Sequence, residues 1–457
     1  MTSFNAIVIG SGQAANPLAH RLADKGWTIA LIEREHIGGS CVNYGCTPTK
    51  TMLASAEIAH AARRGAELGV RVDGVTVDLP AVVERKNRIV LQWREGQEKH
   101  IASRPNITLY RGGARFTGPH TVAVGDEQLT AEHIVINTGT SPLILPIAGI
   151  ERVPYLTNRT IMDLTEVPEQ LLVVGASYVG LEFGQMFRRF GSRVTIVEVA
   201  DQIVPREDPD VAAALQQALE SEGIEFLLGC QATRVETRNG GLRVGVRDGA
   251  GAERVLGASH ILLAAGRRPN TQDLGLEAAG IAHERGWIRV NDRLETNVPG
   301  VYALGDVTGG PAFTHISYND YQIVFHNLFN EPKVSTAGRI VPYALFTDPE
   351  LGRVGLTERE ARASGRPVLV GSVPLSRVAR AIERGTTAGL MKVVIDAGTE
   401  RILGAAILAP GGGEVVQTLM ALMMAGASWR VFYQAVYIHP TMTEGFFALL
   451  NSVKEPA

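Results

Sequence analysis

Short apolar runs alternate with glycine-rich turns and amphipathic stretches along the chain. The first run, Ala6–Ile9, leads through a glycine-rich turn into a helical pattern and then into a second apolar run, Thr28–Ile32. The same order returns over residues 171–198. A strand, a turn, a helix and a second strand in this order predict a βαβ unit of a parallel sheet. The pattern therefore predicts two α/β modules in one chain.

The middle and the end of the chain carry different patterns. A charged, amphipathic stretch, Met52–Arg104, predicts helices, and the segment Ile107–Val124 predicts strands. After a change of composition near Gly338, two strand-like runs, Met391–Asp396 and Ile402–Ala409, are followed by helical patterns. These differences predict an α/β protein with a separate α+β domain towards the C-terminal end.

Length and composition narrow the class of protein. A chain of 457 residues allows roughly three domains, and 45% apolar residues are enough for several buried cores. The net charge of −3 is spread along the chain, so we expect no nucleic-acid partner. The first residues carry no export signal, and glycines interrupt their apolar run before it could span a membrane. We therefore expect a cytoplasmic protein without a membrane partner.

The turn after the first strand has the residues of a dinucleotide fingerprint. Gly10 and Gly12 permit a tight turn and a close approach of the backbone to a pyrophosphate, and Ala15 stands at the third fingerprint position. Glu33 ends the second strand, 23 residues after Gly10, where a carboxylate receives a ribose hydroxyl. A structural turn without a ligand is the alternative, but the strand-turn-helix-strand context favours a nucleotide.

The second copy of the fingerprint differs at one position. Gly175 and Gly180 match it and Glu198 follows Gly175 by 23 residues, but Ser177 replaces the middle glycine. A side chain there crowds the approach to a pyrophosphate, so we expect a weaker site or a shifted loop. Glu198 favours NADH over NADPH, because a carboxylate accepts the free 2′-hydroxyl and repels a 2′-phosphate. Two fingerprints predict two nucleotide cofactors, or one donor and one acceptor.

Three further turns follow apolar strands and are candidate cofactor contacts. Thr138 and Gly139 end the run that begins at His133, and Gly266 lies in the sequence AAGRRPN. Asp306 lies between a strand end and a glycine-rich loop, where it could accept a hydrogen bond from a ribitol or ribose hydroxyl. For Asp306 alone, a role as a turn residue is the alternative.

Two of the three cysteines, Cys41 and Cys46, lie close together in the segment GGSCVNYGCTPTK. Glycines and threonines surround them instead of aliphatic side chains, and Pro48 is suited to the first turn of a helix, where a thiolate is favoured. A disulfide between them needs a bend in the backbone, which Gly45 allows. We interpret the pair as a redox-active disulfide, with two structural cysteines as the alternative. Cys230 has no partner nearby in sequence, so we expect it to be a buried structural thiol.

The ordered motifs resemble one family over essentially the whole chain, the FAD-dependent pyridine nucleotide-disulfide oxidoreductases of the dihydrolipoyl dehydrogenase, glutathione reductase and mercuric reductase type. The segments that carry the resemblance are GSGQAA, CVNYGCTPTK, INTGTSP, GASYVGLE, AAGRRPN, ALGDVTGG, FTDPELGRVGLTE and HPTMTE. The resemblance implies two Rossmann-like domains, for FAD and for NAD, and a C-terminal α+β dimerisation domain. It implies an FAD-binding domain at 1–148 and 265–338, an NAD(P)-binding domain at 149–264 and a dimerisation domain at 339–457.

The resemblance also implies roles for the two cysteines and for a distant histidine. Cys46 would be the thiol nearest the flavin and form the charge-transfer thiolate, and Cys41 would be the interchange thiol that attacks the substrate. His439 of the opposite subunit of a homodimer would form an acid/base dyad with Glu444. Thiol exchange needs a thiolate attacker and a protonated leaving thiol, and the intrinsic pKa of a histidine suits that task.

Other residues would hold the cofactors, according to the same resemblance. Asp306 would bind the ribitol region of FAD. Lys50 would lie by the flavin N5 and pair with Glu182, and Tyr178 would cover the nicotinamide pocket until the cofactor enters. The adenosine half of FAD would be held by Gly10, Gly12 and Glu33.

The motifs indicate the branch of the family less directly than they indicate the family itself. Mercuric reductases are similar around CVNYGCTPTK and TMTEG, but they use an extra cysteine pair near the C-terminus, and this chain has no cysteine after Cys230. Dihydrolipoyl dehydrogenase fits the pair His439 and Glu444 and the preference for NADH. Glutathione reductase fits less well, because no NADPH-selecting arginines are evident after the second fingerprint. A third subgroup passes electrons from NAD(P)H to Cu(II) or quinones under oxidative or copper stress, and it shares the histidine and the lack of extra cysteines.

We therefore predict an NAD(P)H-dependent oxidoreductase of the mercuric-reductase-like branch that reduces a disulfide or a metal ion and has no resident metal. Dihydrolipoyl dehydrogenase is the alternative enzyme, and a flavin-bearing redox sensor is the alternative of another class. The pair His439 and Glu444 argues against the sensor, because a sensor needs no acid/base dyad.

Overall fold

The computed structural model describes residues 1–238 and 240–454, which form two compact units. The first unit comprises Met1–Met52, Ala81–Leu143 and Gly266–Arg339. The second comprises Leu53–Pro80, Ile144–Ala265 and the described residues from Ile340 onward. Every helix in the described part of the chain is too short or too polar to cross a membrane.

A seven-stranded sheet forms the centre of the first unit. Three of its parallel strands are buried where they lie side by side, at Ala6–Ile9, Ile29–Ile32 and Ile134–Ile136, as expected for a sheet that is covered on both faces. In spatial order the strands are Ile107–Arg111, Ile29–Glu33, Thr2–Ile9, Glu127–Ile136, Thr121–Val124 and Ala114–Gly118, and Val301–Ala303 also pairs with Glu127–Ile136. Two small two-stranded sheets complete the unit: Thr140–Pro142 with Arg267–Pro269, and His283–Glu284 with Trp287–Ile288.

The helices of the first unit cover this sheet. Helix Ala15–Asp24 follows the first strand and packs with helix Thr314–Phe329 against one face, through an apolar cluster that includes Leu18, Leu22 and Val324. The chain then reaches the dithiol segment through the short helix Gly39–Tyr44. Two longer helices, Cys46–Arg64 and Leu79–Ala102, each have residues in both units, and the 3₁₀ turns of the first unit are Leu276–Ala279 and Gly305–Thr308.

The second unit contains a parallel sheet and two antiparallel sheets. The parallel sheet has the order Ile224–Leu227, Arg193–Val197, Gln170–Val174, His260–Leu263. The three-stranded sheet has the order Cys230–Arg238, Gly241–Asp248, Glu253–Ala258. The five-stranded sheet near the C-terminus has the order Tyr343–Leu345, Glu350–Gly355, Ile402–Ala409, Leu390–Asp396, Val368–Pro374.

Helices flank the sheets of this unit. The helices are Tyr178–Phe190, Pro209–Ser221, Glu358–Ala363, Ala379–Glu383, Gly412–Met424, Arg430–Tyr433 and Gly445–Asn451. The 3₁₀ turns are Gly65–Leu68, Ile150–Arg152, Ile161–Asp163 and Leu375–Arg377. The predicted fold class, two α/β modules with a C-terminal α+β part, is confirmed. Cys230 is buried at the start of its strand, as expected.

A buried histidine on the first helix makes the first unit sensitive to acid. The rings of His20 and His100 stack at 3.9 Å, and within the described residues neither ring nitrogen of His20 has a hydrogen-bond partner. Burial, together with the nearby charges of His100 and Arg104, lowers the pKa of His20 from 6.5 to about 4. The unfolded chain therefore binds a proton at a pH where the folded chain does not, and stability falls as the pH drops from 6.5 towards 4.

Because of this histidine, we expect the free energy of unfolding to fall by about 2 kcal/mol as the pH drops from about 7 to about 5. The measurement is urea unfolding of the wild type and of His20→Leu at the two pH values. His20→Leu removes the titrating group, so its stability should depend less on pH by that amount. An equal pH dependence in both proteins would contradict the assignment.

Candidate functional site

The first glycine-rich turn is held against the end of a neighbouring strand. Gly10 has φ +94°, and a Cβ there would lie 2.4 Å from the carbonyl oxygen of Asn137. A Cβ at Gly12 would lie 2.7 Å from the side-chain oxygen of the same asparagine. Asn137 also accepts a hydrogen bond from the N–H of Ala15 at 3.2 Å and donates one to the carbonyl of Leu304 at 2.7 Å. Glycine is therefore required at both positions for the turn to approach the strand.

Sequence reasoning did not identify Asn137. It lies 122 residues from Ala15, and an asparagine that follows a strand carries no sequence signal of its own. In the structure, Asn137 connects the turn and the start of helix Ala15–Asp24 to two other strands through its hydrogen bonds.

The second turn repeats this architecture. Gly175 has φ +110°, and a Cβ there would lie 2.8 Å from the carbonyl oxygen of Ala264. A Cβ at Gly180 would lie 1.9 Å from the carbonyl oxygen of Gly175, so the helix approaches the turn closely. Ser177 occupies the N-cap position of helix Tyr178–Phe190, yet its hydroxyl makes no capping hydrogen bond. The two modules are therefore alike in their backbone and differ at Gly12 and Ser177.

The two predicted ribose-binding carboxylates are held in the same way. Glu33 accepts hydrogen bonds from the N–H and the hydroxyl of Ser11 at 3.0 and 2.6 Å. Glu198 accepts one from the N–H of Ala176 at 2.7 Å. Each carboxylate thus lies beside its glycine-rich turn, and a carboxylate has further lone pairs with which to accept a ribose hydroxyl.

Features of the first turn fit a bound dinucleotide. The residue that precedes helix Ala15–Asp24 is Ala14, which has no side-chain group to cap the helix. The N–H groups of Ala15 and Asn16, at the start of this helix, are instead bonded to the side chain of Asn137 and to the carbonyl of Gly12. Among the described residues, none forms a hydrogen bond with the buried hydroxyl of Thr138, the residue that follows Asn137. The cradle, which is the close approach of the turn at Gly10 and Gly12 to Asn137, and this hydroxyl together fit a phosphate-bearing cofactor.

Replacing Gly10 by alanine should remove the cradle. Gly26 offers a matched control because it has φ +84° and its Cβ would meet nothing within 4 Å. Both variants carry the strain of a positive φ, but only Gly10→Ala forces the turn away from Asn137. We expect Gly10→Ala to lose bound flavin and to be about 1–3 kcal/mol less stable than Gly26→Ala. Flavin content by absorbance and urea unfolding measure the two effects, and equal losses would contradict the cradle.

The predicted ribitol contact, Asp306, belongs to a short chain of hydrogen bonds. It accepts a hydrogen bond from the hydroxyl of Thr140 at 3.0 Å, and that hydroxyl accepts one from Nε of Arg267 at 2.6 Å. Gly266, which precedes Arg267, has φ +93° and bonds through its carbonyl to the N–H of Leu143. Gly139, with φ +64°, lies between Thr138 and Thr140. The strand before it ends at Ile136, three residues before Gly139, so the predicted end at Thr138 and Gly139 is too late. These bonds fix the carboxylate of Asp306 at the end of the parallel sheet.

The dithiol segment consists of two helices that meet at a glycine. Helix Gly39–Tyr44 carries Cys41, and Cys46 is the first residue of the next helix. Pro48 is the third residue of this helix and thus lies in its first turn, as expected, where proline is tolerated because the N–H groups lack helical partners. A Cβ at Gly45 would lie 2.9 Å from the carbonyl oxygen of Ser40, which confirms the need for glycine at the bend. The bend brings the two sulfurs into hydrogen-bonding contact.

The electrostatics of the pair favour a single negative charge. The hydrogen bond to Cys46, burial and the charge of Cys46 all raise the pKa of Cys41. When Cys46 is ionised, Cys41 therefore keeps its proton. Cys41 is partly buried and Cys46 is exposed. A base is needed to remove the proton before Cys41 can act as a nucleophile.

Thr314 is a residue of this site that the sequence did not reveal. Its hydroxyl lies 3.2 Å from the sulfur of Cys46, and its hydrogen bond to Cys41 lowers the pKa of Cys41. Thr314 begins helix Thr314–Phe329, 268 residues away from Cys46. Its only sequence signal is its place shortly after the glycine-rich loop of Asp306.

Replacing Thr314 by valine should make Cys41 less acidic. The isosteric valine cannot donate the hydrogen bond that stabilises the thiolate, and such bonds to charged groups contribute about 1.5–3 kcal/mol. We expect the alkylation of Cys41 in the reduced enzyme, followed by peptide mass spectrometry, to slow about tenfold at neutral pH and to move to higher pH. Thr314→Ser keeps the hydroxyl and should resemble the wild type. A profile that moves to lower pH in Thr314→Val would contradict this role.

Lys50 lies one helical turn after Cys46, so the two side chains share a face of their helix. In the second unit, Tyr178 and Glu182 are likewise one turn apart, on helix Tyr178–Phe190. Glu182 is buried and accepts a hydrogen bond from the N–H of Phe346 at 3.0 Å. The rings of Tyr178 and Tyr343 meet edge to face with centroids 5.7 Å apart.

His439 and Glu444, which are predicted to act as an acid/base pair, are in hydrogen-bonding contact. Nδ1 of His439 lies 2.9 and 3.0 Å from the two carboxylate oxygens of Glu444. The side chain of His439 is 67% exposed, so its other ring nitrogen is open to a reacting group. Val436 and Ile438, which precede it, are 99% and 78% exposed. Exposed apolar side chains beside an exposed histidine are typical of a surface that another protein chain covers.

Comparison with known proteins identifies the family. The model of the pyridine nucleotide-disulphide oxidoreductases matches residues 4–320, and the model of their dimerisation domain matches residues 341–449. The chain is 36% identical to the probable pyridine nucleotide-disulfide oxidoreductase RclA of Escherichia coli, over 99% of this chain and 100% of that protein. It is 35% identical to the dihydrolipoyl dehydrogenase of Thermus scotoductus, over 100% and 99% of the two chains. It is 33% identical to the mercuric reductase of Lysinibacillus sphaericus, over 97% of this chain and 81% of that one.

A solved structure agrees with these sequence matches. The Cu(II) complex of the HOCl-induced flavoprotein disulfide reductase RclA from Escherichia coli has a TM-score of 0.90 at 35% identity, with 99% of each chain covered. The matched dimerisation domain indicates a homodimer. The chain therefore belongs to the pyridine nucleotide-disulfide oxidoreductases, a family of FAD-dependent enzymes that use pyridine nucleotides.

Proposed function

We propose that this enzyme passes electrons from NADH through FAD and the Cys41–Cys46 dithiol to a disulfide or a metal ion. The observation that carries the proposal is the dithiol itself. Two thiols in contact at a helix start, with one proton held by Cys41, form a pair that can cycle between a disulfide and a dithiol. FAD, when bound, supplies two-electron transfer between the nicotinamide and this pair.

The cofactors would be held by the two glycine-rich turns. The first turn and Glu33 would bind the adenosine half of FAD, with Asp306 at the ribitol. The second turn and Glu198 would bind the nicotinamide dinucleotide. The carboxylate of Glu198 supports a preference for NADH, because it would repel the 2′-phosphate of NADPH. Lys50 and Glu182 would lie beside the reacting ring, and Tyr178 would cover the nicotinamide pocket.

In the proposed oxidative half-reaction Cys41 attacks the acceptor. The raised pKa of Cys41 means that its proton must first pass to a base. We propose that His439 of the opposite subunit takes this proton and returns it to the leaving thiol. Glu444 would hold the proton on Nδ1 and stabilise the charged imidazole, as the third group of a triad does. The exposure of His439 and of its apolar neighbours supports a site that is shared across a homodimer.

Two kinds of acceptor compete. Cu(II) is supported by the similarity to RclA, one structure of which is a Cu(II) complex. Soft thiolate ligands favour Cu(I), the product of Cu(II) reduction. In this proposal the copper ion is a substrate of the dithiol. Within the described residues, no group of three or more His, Cys, Asp or Glu side chains could hold a metal ion. The other acceptor is a disulfide such as lipoamide, which is supported by the His439–Glu444 pair and by the similarity to dihydrolipoyl dehydrogenase, the enzyme that would run in the reverse direction and oxidise dihydrolipoamide.

A steady-state comparison separates these acceptors. Purified FAD-loaded enzyme is assayed with NADH and with NADPH against lipoamide, glutathione disulfide, Hg(II), Cu(II) and a quinone. The proposal predicts turnover of at least one disulfide or metal ion, with NADH preferred, and abolition of that turnover in Cys41→Ser. Reduction of quinone alone, unaffected by Cys41→Ser, would refute the role of the dithiol.

A further inference from the structure

A buried charged pair lies behind Tyr178. The hydroxyl of Tyr178 is hydrogen-bonded to that of Tyr343, and Tyr343 donates its own proton to a carboxylate oxygen of Glu207. A hydroxyl has one proton, and Tyr343 donates its proton to Glu207. Tyr343 therefore accepts the hydrogen bond that Tyr178 donates. The other carboxylate oxygen of Glu207 lies 3.7 Å from Nε of Arg353. Four side chains are thus connected from the second fingerprint to the C-terminal sheet.

The pair at the end of this chain is fully buried. Glu207 and Arg353 are each 1% exposed. Within residues 1–238 and 240–454, no group bonds to the two terminal nitrogens of Arg353. Burial of charged groups whose hydrogen bonds are incomplete opposes folding. Stability alone therefore does not account for this buried pair. A role in holding the hydroxyl of Tyr343, which donates a hydrogen bond to Glu207, would account for it.

The backbone holds each member in place. Tyr343 and Arg353 are opposite each other on adjacent antiparallel strands. Glu207 belongs to a segment in which Val204 has φ +39°, a conformation that is costly for a β-branched residue. The N–H of Val204 donates to the carbonyl of Ala176, in the second fingerprint turn. Local strain of this kind is found at functional sites. The hydrogen bond from Val204 to Ala176 holds the segment of Glu207 against the turn that precedes Tyr178.

We propose that Tyr343, anchored by the buried Glu207–Arg353 pair, holds the hydroxyl of Tyr178 and thereby opposes entry of the nicotinamide. The inference rests on the proposed role of Tyr178 as the cover of the nicotinamide pocket. For the nicotinamide to enter, the Tyr178 ring must move, and its bond to Tyr343 must break. The bond therefore lowers the population of the open state and weakens the apparent affinity for the nicotinamide half of the cofactor. Tyr343, Glu207 and Arg353 are positioning residues in this scheme.

The test separates the two halves of the dinucleotide. Calorimetric titration of the oxidised holoenzyme with NAD⁺ reports on the whole cofactor, and titration with ADP-ribose reports on the half that does not need an open pocket. In Tyr343→Phe we expect NAD⁺ to bind about two- to tenfold more tightly, the equivalent of one hydrogen bond. The affinity for ADP-ribose should stay unchanged. Damage to the fold would weaken both ligands instead.

Further variants test whether the change in NAD⁺ affinity depends on the hydrogen bonds from Tyr178 through Tyr343 to Glu207. Tyr178→Phe breaks the same bond, so its effect and that of Tyr343→Phe should not add in the double variant. Glu207→Gln combined with Arg353→Met removes both charges and leaves a weaker acceptor for Tyr343, so NAD⁺ affinity should rise by less than in Tyr343→Phe. Tyr302→Phe, at a half-buried tyrosine of the seven-stranded sheet, should leave both affinities unchanged.

The outcomes distinguish the two levels of the proposal. If the wild type binds NAD⁺ and Tyr343→Phe binds it equally or more weakly, the inference is wrong and the proposed function stands. Equal tightening of ADP-ribose also overturns the inference, because the effect would then not concern the nicotinamide. If the wild type binds neither nucleotide, the proposed function fails and the inference fails with it.

Discussion

Anaerobic NADH should reduce the flavin of the Cys46→Ser holoenzyme without the long-wavelength absorbance that a thiolate beside a flavin produces. Serine has no sulfur, so it forms neither a thiolate nor a disulfide, and electrons cannot pass from the flavin to Cys41. Turnover of a disulfide or metal-ion acceptor should fall by more than about a thousandfold, as it does when an essential nucleophile is removed. Stopped-flow absorbance measures the first effect and steady-state assays the second.

The companion variant Cys41→Ser should differ from Cys46→Ser in stopped-flow absorbance and resemble it in steady-state turnover. Cys46 remains, and it no longer exchanges a hydrogen bond with a neighbouring thiol. The long-wavelength absorbance should therefore persist or intensify although turnover is lost. Cys230→Ser is the control, because Cys230 is buried in another sheet and should leave both properties unchanged. Identical spectra for Cys41→Ser and Cys46→Ser would contradict the separate roles of the two thiols.

The second large effect is expected at His439. His439→Ala should slow disulfide turnover by roughly 10²–10⁴-fold, the usual contribution of a general acid/base. The cause is the proton on Cys41, whose pKa is raised by its bond to Cys46 and by burial. Reduction of the flavin by NADH should be unaffected, because that step does not use the dyad. Stopped-flow measurement of both half-reactions separates the two steps.

The chain provides a matched control for this variant. His283 is also paired with a carboxylate, that of Glu277, at 3.1 Å. If an exposed histidine-carboxylate pair merely stabilised the protein, His283→Ala and His439→Ala would have similar effects. Glu444→Gln should cause a smaller loss than His439→Ala, since the imidazole remains. A loss in His439→Ala that falls mainly on NADH reduction would contradict the role of the dyad.

The sequence was sufficient for features that depend on local pattern. Apolar runs around Gly10 and Gly175 predicted the two α/β modules, and Gly45 between the cysteines predicted the bend. The run that begins at His133 was expected to end at Thr138 and Gly139, but its strand ends at Ile136. Local pattern therefore located these elements better than it located their ends.

Contacts between distant segments could not be read in advance. Asn137 and Thr314 act on Ala15 and Cys46 across 122 and 268 residues, and nothing near them in sequence indicates a partner. Glu207 and Arg353 look like ordinary surface charges in sequence, since acidic and basic residues are rarely buried. Only the fold reveals that both are inside.

The difference between Gly12 and Ser177 has a consequence for the timing of a catalytic cycle. A flavin that remains through many turnovers needs a slow dissociation rate, whereas a nicotinamide cofactor must leave after each one. Under the proposed assignment, the glycine turn belongs to the resident cofactor and the serine turn to the exchanging one. Affinity differences arise mainly from dissociation rates, and product release often limits turnover. One hydroxymethyl group could thus help set how long each nucleotide stays.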